Sequence, residues 1–350
     1  MAKIPISVIV PVYNRLEYID ECLDSALKQD VALELIVVDD CSTDGSYEHV
    51  REKYGGLDNV TVLRNEENSG VSYARNRAIS VAQGEYIQFI DSDDFIIENS
   101  LGRLYELATE NELDVLHSIG CYKLEPGENI LRKTVEYGGR LPGEIDLRTR
   151  EELIADFAGY RLNISSCEKL IRRELISENK LKFVRVNLQE DSLFNLELIL
   201  RAKSYGLTSI IYNVVRNSED SLSRKKDVGK IIKDVVDSLM VTQDKLAEIF
   251  SANSWQAFKN YEYNIREVLT QGLIYLLEDA KSWERGYDYF VKNCHDVIAR
   301  AAEEDKDKLL EFLLFYLPYV QHLGRSRDTE IKIMRENVRA ARSAPVEINK

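Results

Sequence analysis

The stretch Tyr86-Ile87-Gln88-Phe89-Ile90-Asp91-Ser92-Asp93-Asp94 constrains this chain more than any other. Tyr86 to Ile90 is rich in aromatic and β-branched side chains and too short for a helix, so it reads as a buried strand. Such strands belong to parallel sheets covered on both faces, and in those sheets ligands gather beyond the carboxyl ends of the strands. Three aspartates follow within four positions. Two unit charges about 5 Å apart repel by roughly 3 kcal/mol at an effective dielectric near 20. A hard divalent cation with oxygen ligands removes that repulsion and can bridge to phosphate oxygens. The plainer alternative is a solvated strand-to-loop transition in which Asp94 caps the next helix. The apolar strand before the triplet, together with signals elsewhere, favours metal and phosphate.

Upstream, Ile6 to Val10 is a first strand and Pro11-Val12-Tyr13-Asn14 the turn after it. Asn14 with Glu17 has the pattern of a capping box, opening a helix through about Lys28. Leu33 to Val38 is a second buried strand ending at Asp39-Asp40, and the polar turn Cys41 to Ser46 leads into a helix over Tyr47 to Lys53. Val60 to Leu63 is a third strand. The loop Asn65 to Gly70 leads into a helix from Ser72 to Ala82, with Gly84 as its terminating C′ glycine. Strand and helix thus alternate four times over the first 94 residues, the mark of an α/β parallel sheet. Tyr13, Asp40 and Asp91 to Asp94 all follow strands and should converge on one cleft.

Further on, the spacing predicts a helix over 100–111, a strand over Val115 to Ile119 and a hairpin region over 120–148. A second capping box, Thr149 with Glu152, starts another helix. Leu170 to Asn179 reads as helical, Glu190-Asp191 opens a helix, and Ile210 to Val215 is a further strand. From about residue 228 only helical periodicity remains, with helices expected over 228–250, 254–278, 282–303, 306–322 and 327–342. The expected organisation is therefore an α/β domain over 1–227 and an all-α region over 228–350.

The formal net charge of −14 argues against a nucleic-acid binder, which needs a basic surface. The five cysteines are scattered, with no CxxC pair, as expected of free thiols in a reducing compartment. The four histidines lack metal-ligand spacing and read as packing or surface residues. No stretch reaches the roughly 18 to 20 apolar residues of a membrane helix. Leu309 to Val320 comes nearest, but it is short and carries Glu311 and Pro318. A cytoplasmic protein, free or at the inner face of the membrane, is the expectation.

Five ordered motifs resemble the family 2 glycosyltransferases with the GT-A fold: Pro11 to Asn14, Val38 to Asp40 with Ser42 to Ser46, Asn68-Ser69-Gly70 with Ala74-Arg75-Asn76, Phe89 to Asp94, and Glu190-Asp191. The resemblance covers roughly residues 4 to 225. The helical region is more loosely similar to the segment that follows the catalytic domain in bacterial wall teichoic acid glycosyltransferases.

The resemblance implies a Rossmann-like, mostly parallel sheet and an inverting transfer from a nucleoside-diphosphate sugar, a UDP-sugar first, to a hydroxyl of a glycan, polymer or lipid-linked acceptor. Tyr13 would stack on the nucleobase, Pro11 would shape the pocket, and Asp40 would accept from the base imide. Asn68 and Arg75 would lie at the donor pocket, with Arg75 binding phosphate or the aspartates. Asp91 and Ser92 would contact the ribose or sugar, and Asp93 would ligate Mn²⁺ or Mg²⁺. Asp191 would be the general base, with Glu190 orienting it or raising its basicity. Many family members carry an aromatic residue two before Lys169, where this chain has Cys167. Some place a histidine after the last strand, where this chain offers Arg216, Ser221 and Ser223 as donor contacts instead.

Other classes compete. A catalytically idle nucleotide-sugar or glycan-binding subunit could keep the fold, but would have no reason to keep Asp191. A nucleotidyltransferase would want a basic phosphate loop, and none is present. The helical region could pack on the catalytic domain, form a homo-oligomer, or offer Leu309, Leu310, Leu313, Leu314 and Leu317 to a membrane surface.

Overall fold

The computed structural model describes residues 3–124, 131–135, 143–158, 162–163, 165–184 and 190–216. All of them lie in the first of two compact units, Met1–Leu276. The expected boundary near 228 and the helices beyond it lie outside the described residues.

Strand and helix alternate as β1 (Ile6–Val12), α1 (Ile19–Leu27), β2 (Leu33–Asp39), α2 (Ser46–Tyr54), β3 (Val60–Arg64), α3 (Val71–Val81) and β4 (Tyr86–Phe89). Next come β5 (Phe95–Ile96), α4 (Leu101–Glu110), β6 (Val115–Ser118), β7 (Gly120–Leu124), β8 (Leu131–Val135), β9 (Asp146–Leu147) and α5 (Arg150–Ala158). A 3-10 turn (Ser166–Glu168) precedes β10 (Lys169–Arg172), α6 (Arg173–Asn179), α7 (Glu190–Arg201), β11 (Tyr205–Thr208) and β12 (Asn213–Arg216).

Eight strands form the main sheet in the order β3-β2-β1-β4-β10-β6-β11-β9. The β3-β2-β1-β4 half is parallel, as is the β6–β11 pair, while β10 runs antiparallel between β4 and β6. A smaller sheet, β5-β12-β7-β8, stands beside it. The central strands are apolar at nearly every position because both faces are covered. Val8, Val10 and Val12 pack with α1, α2 and α4 on one side. Ile9, Ile87 and Phe89 pack with α3, α6 and α7 on the other. Reversal of strand order at β1/β4 opens the crevice where the acidic motifs sit.

Four local expectations are corrected. Asn14 is not a helix cap: its φ is 52°, α1 begins only at Ile19, and its side chain is used elsewhere. Gly84 does not end α3 through a left-handed backbone; an added Cβ would lie 2.3 Å from Ser7 N, so glycine is required by the approach of the β1 backbone. Lys169 to Arg172 is a strand, with helix only from Arg173, because β4 and β6 leave a slot whose hydrogen bonds an extended segment must fill. Ile210 to Val215 is displaced to β12, and the edge-side β11 has no counterpart in the sequence analysis. The Thr149–Glu152 capping box is present: Thr149 N donates to Glu152 Oε2 at 2.9 Å, and Glu152 N donates to Thr149 Oγ1 at 3.3 Å.

Among the described residues no helix is long and apolar enough to cross a membrane. Cys22, Cys41, Cys121 and Cys167 are free thiols.

Candidate active site

Parallel pairing of β2, β1 and β4 brings their carboxyl ends to one edge. There the β1–α1 and β2–α2 turns are laced together. Asn14 N donates to Ser42 Oγ at 3.0 Å, and Asn14 Oδ1 accepts from Thr43 N at 2.8 Å. Arg15 N donates to Ser46 Oγ at 2.9 Å, and Leu16 N to Asp44 Oδ2 at 3.1 Å. Amides that would otherwise be orphaned at a helix entry are satisfied from the neighbouring turn. Tyr13, 38% exposed, stands at this edge with its ring accessible, and Pro11 is buried behind it.

Asp40 is buried and organises the loop before α3. Its Oδ1 accepts from Asn65 Nδ2 at 2.6 Å and from Ser69 N at 3.0 Å, and its Oδ2 accepts from Gly70 N at 2.7 Å. A carboxylate can accept about four such bonds, so one remains for a ligand on Oδ2. Asn65 was not singled out from the sequence; Asn68 was, and is exposed. Asn65 is the residue that touches Asp40, and Arg77 Nη1 donates to its Oδ1 at 2.6 Å. An asparagine directly after a strand is too common a turn residue to have marked it.

Arg75, on α3 with only 2% of its side chain exposed, joins the two acidic motifs. Its Nη2 donates to Asp91 Oδ1 at 2.9 Å, and its Nη1 to Glu190 Oε1 at 3.0 Å and Asp191 Oδ1 at 3.1 Å. The guanidinium lies over Phe183 at 5.1 Å and Phe89 at 5.9 Å. Burial works against its charge, but Asp191, Asp91 and Glu190 outweigh this and hold its pKa well above the usual arginine value. Glu190 shifts the other way. Burial and the adjacent Asp191 charge raise it to about 7, against the pull of Arg75. Asp191 Oδ1 also accepts from Ser166 Oγ at 2.7 Å.

The Asp91–Asp94 turn is gripped from a third direction. Arg15 Nε lies 3.4 Å from Asp93 Oδ2. Arg216, at the end of β12, donates its backbone N to Asp94 Oδ1 at 2.8 Å and its Nε to the Asp93 carbonyl at 3.2 Å. Its guanidinium pairs with Glu21 and lies over the rings of Tyr18 and Phe95. Arg216 thus reaches the aspartate turn itself, while Ser92 is buried within it. Burial, then the Asp91 and Asp93 charges, pushes the Asp94 carboxyl well above its usual range. Ser221 and Ser223 lie outside the described residues.

The two histidines in the described residues are structural. His49 Nε2 lies 2.8 Å from Asp20 Oδ1, and His117 is buried with Nδ1 2.9 Å from the Tyr205 hydroxyl. Cys167, in the place of the family's aromatic residue, is buried behind the site, where its carbonyl accepts from Gln88 Nε2 at 2.7 Å and the Tyr212 hydroxyl at 3.0 Å.

The family model for Glycosyl transferase family 2 matches residues 7–178. The chain is 32% identical over 234 residues to the poly(ribitol-phosphate) β-N-acetylglucosaminyltransferase TarP of Staphylococcus aureus, an alignment spanning 64% of this chain and 67% of TarP. The chain belongs to glycosyl transferase family 2. It has the family's GT-A fold, with its mostly parallel sheet.

A poly(ribitol-phosphate) β-glucosyltransferase of Bacillus spizizenii is 34% identical over 223 residues, 61% of this chain. The chain spans only 33% of that relative's length. The crystal structure of S. aureus TarS 1-349 in complex with UDP-GlcNAc superposes with a TM-score of 0.66 at 22% identity, covering 97% of this chain and 92% of that one. At that identity the likeness speaks for the fold.

Proposed function

We propose that this chain is a glycosyltransferase that moves a sugar from a UDP-sugar to a hydroxyl of a phosphate-containing or other glycan polymer, with inversion and with help from a divalent cation. The observation that carries this is the single Arg75 guanidinium holding Asp91, of the aspartate triplet, and Asp191, of the Glu190-Asp191 pair. Two motifs about a hundred residues apart in sequence thereby meet at one guanidinium; one would suit a donor diphosphate and the other an acceptor. The relative TarP supports the polymer acceptor by its name, and the UDP-GlcNAc bound to TarS supports the UDP-sugar.

The nucleobase would stack on Tyr13 above Pro11, with its imide proton offered to the remaining lone pair of Asp40. Ribose and sugar hydroxyls would fall to Asp91 and the Ser92 backbone, with Arg75 fixing the Asp91 carboxylate. Asp191 would take the acceptor proton on Oδ2, since Oδ1 is committed to Arg75 and Ser166. As that O–H bond breaks, the acceptor oxygen bonds to the anomeric carbon. The bond to the diphosphate breaks on the opposite side, and the electron pair leaves with UDP. One displacement of this kind inverts the anomeric centre.

Among the described residues no three His, Cys, Asp or Glu side chains are arranged to hold a metal ion by themselves. The donor set fits a hard cation shared with a ligand: Asp93 would supply one carboxylate from a turn that also carries Asp91 and Asp94, and a bound diphosphate would supply further oxygens. Mn²⁺ or Mg²⁺ bound there would neutralise the charge that develops on the leaving diphosphate.

UDP release from a panel of UDP-sugars, with Mn²⁺ or with EDTA, tests the proposal in wild type and Asp191→Asn. Metal-dependent release in wild type that falls by about 10³-fold or more in Asp191→Asn is expected. Tight UDP-sugar binding without turnover in either protein would instead identify a binding subunit.

A further inference from the structure

Ser166 is fully buried, yet its hydroxyl has little apolar surface to gain from burial. It sits in the 3-10 turn before β10, and its Oγ donates to Asp191 Oδ1 at 2.7 Å, across to the first turn of α7. A hydroxyl rotor points where its neighbours leave it room. Here Asn195, itself buried, presents its amide: Nδ2 lies 2.8 Å from the Asp191 carbonyl and 3.5 Å from Ser166 Oγ. A hydroxyl that accepts from an amide N–H while lying against a carboxylate must aim its own proton at the carboxylate. The turn that carries it is anchored too. Lys169 Nζ, buried beneath it, donates to the Ser165 carbonyl at 2.6 Å and the Asn163 carbonyl at 3.2 Å. Ser165 Oγ accepts from Cys167 N at 3.1 Å.

We propose that Ser166, steered by Asn195, is a positioning residue for Asp191: its hydroxyl fixes the carboxylate rotamer and, with Arg75, occupies Oδ1 so that Oδ2 alone faces the acceptor hydroxyl. This deepens the proposed mechanism and rests on Asp191 being its base. Arg75 alone could not fix the rotamer, because it is shared among three carboxylates. Ser166 bonds only the base among them.

The 350-residue chain with UDP-GlcNAc and Mn²⁺, read by UDP release with water as acceptor, tests this in Ser166→Ala, Ser166→Cys and Ser166→Thr. Cysteine keeps the volume but is a weak donor, so it guards against a collapse of the alanine variant; threonine keeps the hydroxyl. Loss of one hydrogen bond to a charged group should lower kcat about tenfold in the alanine and cysteine variants with KM unchanged. Threonine, which keeps the hydroxyl, should restore kcat. An unchanged kcat in the alanine and cysteine variants, a change confined to KM, or no rescue by threonine overturns the positioning role. If Asp191→Asn turns over UDP-GlcNAc as fast as wild type, the base assignment fails on its own account, whatever the serine variants do. Asp191→Asn dead with all serine variants at wild-type rate leaves the base in place and removes only Ser166.

Discussion

Replacing Arg75 with methionine would leave Asp91, Glu190 and Asp191 facing one another with no cation between them. Each pair with the guanidinium is between 2.9 and 3.1 Å. At charge separations of about 4 Å and an effective dielectric near 20, one such pair amounts to roughly 4 kcal/mol before desolvation. The three do not simply add. Asp91 is 44% exposed, so water screens its share. Glu190 and Asp191, at 14% and 18%, are better shielded. Removing one partner of a buried ionic cluster costs about 3–5 kcal/mol. That is a large part of a stability of about 5–15 kcal/mol.

Urea unfolding of wild type and Arg75→Met at pH 8 should show that deficit, and at pH 5 a smaller one. The sign follows from Glu190, whose folded pKa is raised from 4.5 to about 7. A carboxyl with a raised folded pKa binds its proton more tightly when folded, so its contribution to stability is lost as pH rises from about 4.5 to 7. Arg75 pulls that pKa down. Without it the folded pKa climbs further and the loss deepens and extends above pH 7. Arg75→Lys, which keeps the charge but not the fork, should fall between the two. A deficit under about 1 kcal/mol at pH 8, or one independent of pH, would refute the view that Arg75 neutralises these carboxylates.

Gly84→Ala should destabilise the fold by about 2 kcal/mol, because the new methyl group would meet β1 backbone that has nowhere to go; an unchanged urea midpoint would show that the contact relaxes freely. Asn65→Ala should remove one of the two donors to Asp40 Oδ1 and loosen the 65–70 loop, weakening UDP binding about tenfold. Calorimetry with UDP checks it, and unaltered affinity would disconnect that loop from the donor pocket.

Residues whose side chains contact their own local turn, or lie at the end of an apolar run, were recognisable in the sequence. The aspartate triplet and Asp40 were of this kind; Arg75 and Asp191 stood out only through the family resemblance, and Arg75 showed no more than nearness to a donor pocket. Its role as the junction of Asp91, Glu190 and Asp191 depends on α3 and α7 packing against the same face of β4. Ser166 and Asn195 were invisible, because a buried serine or asparagine has no periodic signature and acquires its task from a partner in another element. Asn14 shows the same limit in reverse: its spacing to Glu17 is that of a helix cap, but the neighbouring β2–α2 turn offered Thr43 N, and that bond won.

The alternation of short apolar strands with amphipathic helices determined the parallel half of the sheet, since each such segment has one economical way to bury itself and right-handed crossovers order them. The chain's own chemistry also determined that acidic and polar groups crowd the carboxyl ends of those strands. Tertiary structure alone decided that Lys169 to Arg172 enters the sheet antiparallel, because the open hydrogen-bonding edges of β4 and β6 exist only once both are in place. It alone decided which carboxylates share a cation, for a guanidinium's partners are whatever the packing brings within about 3 Å of it.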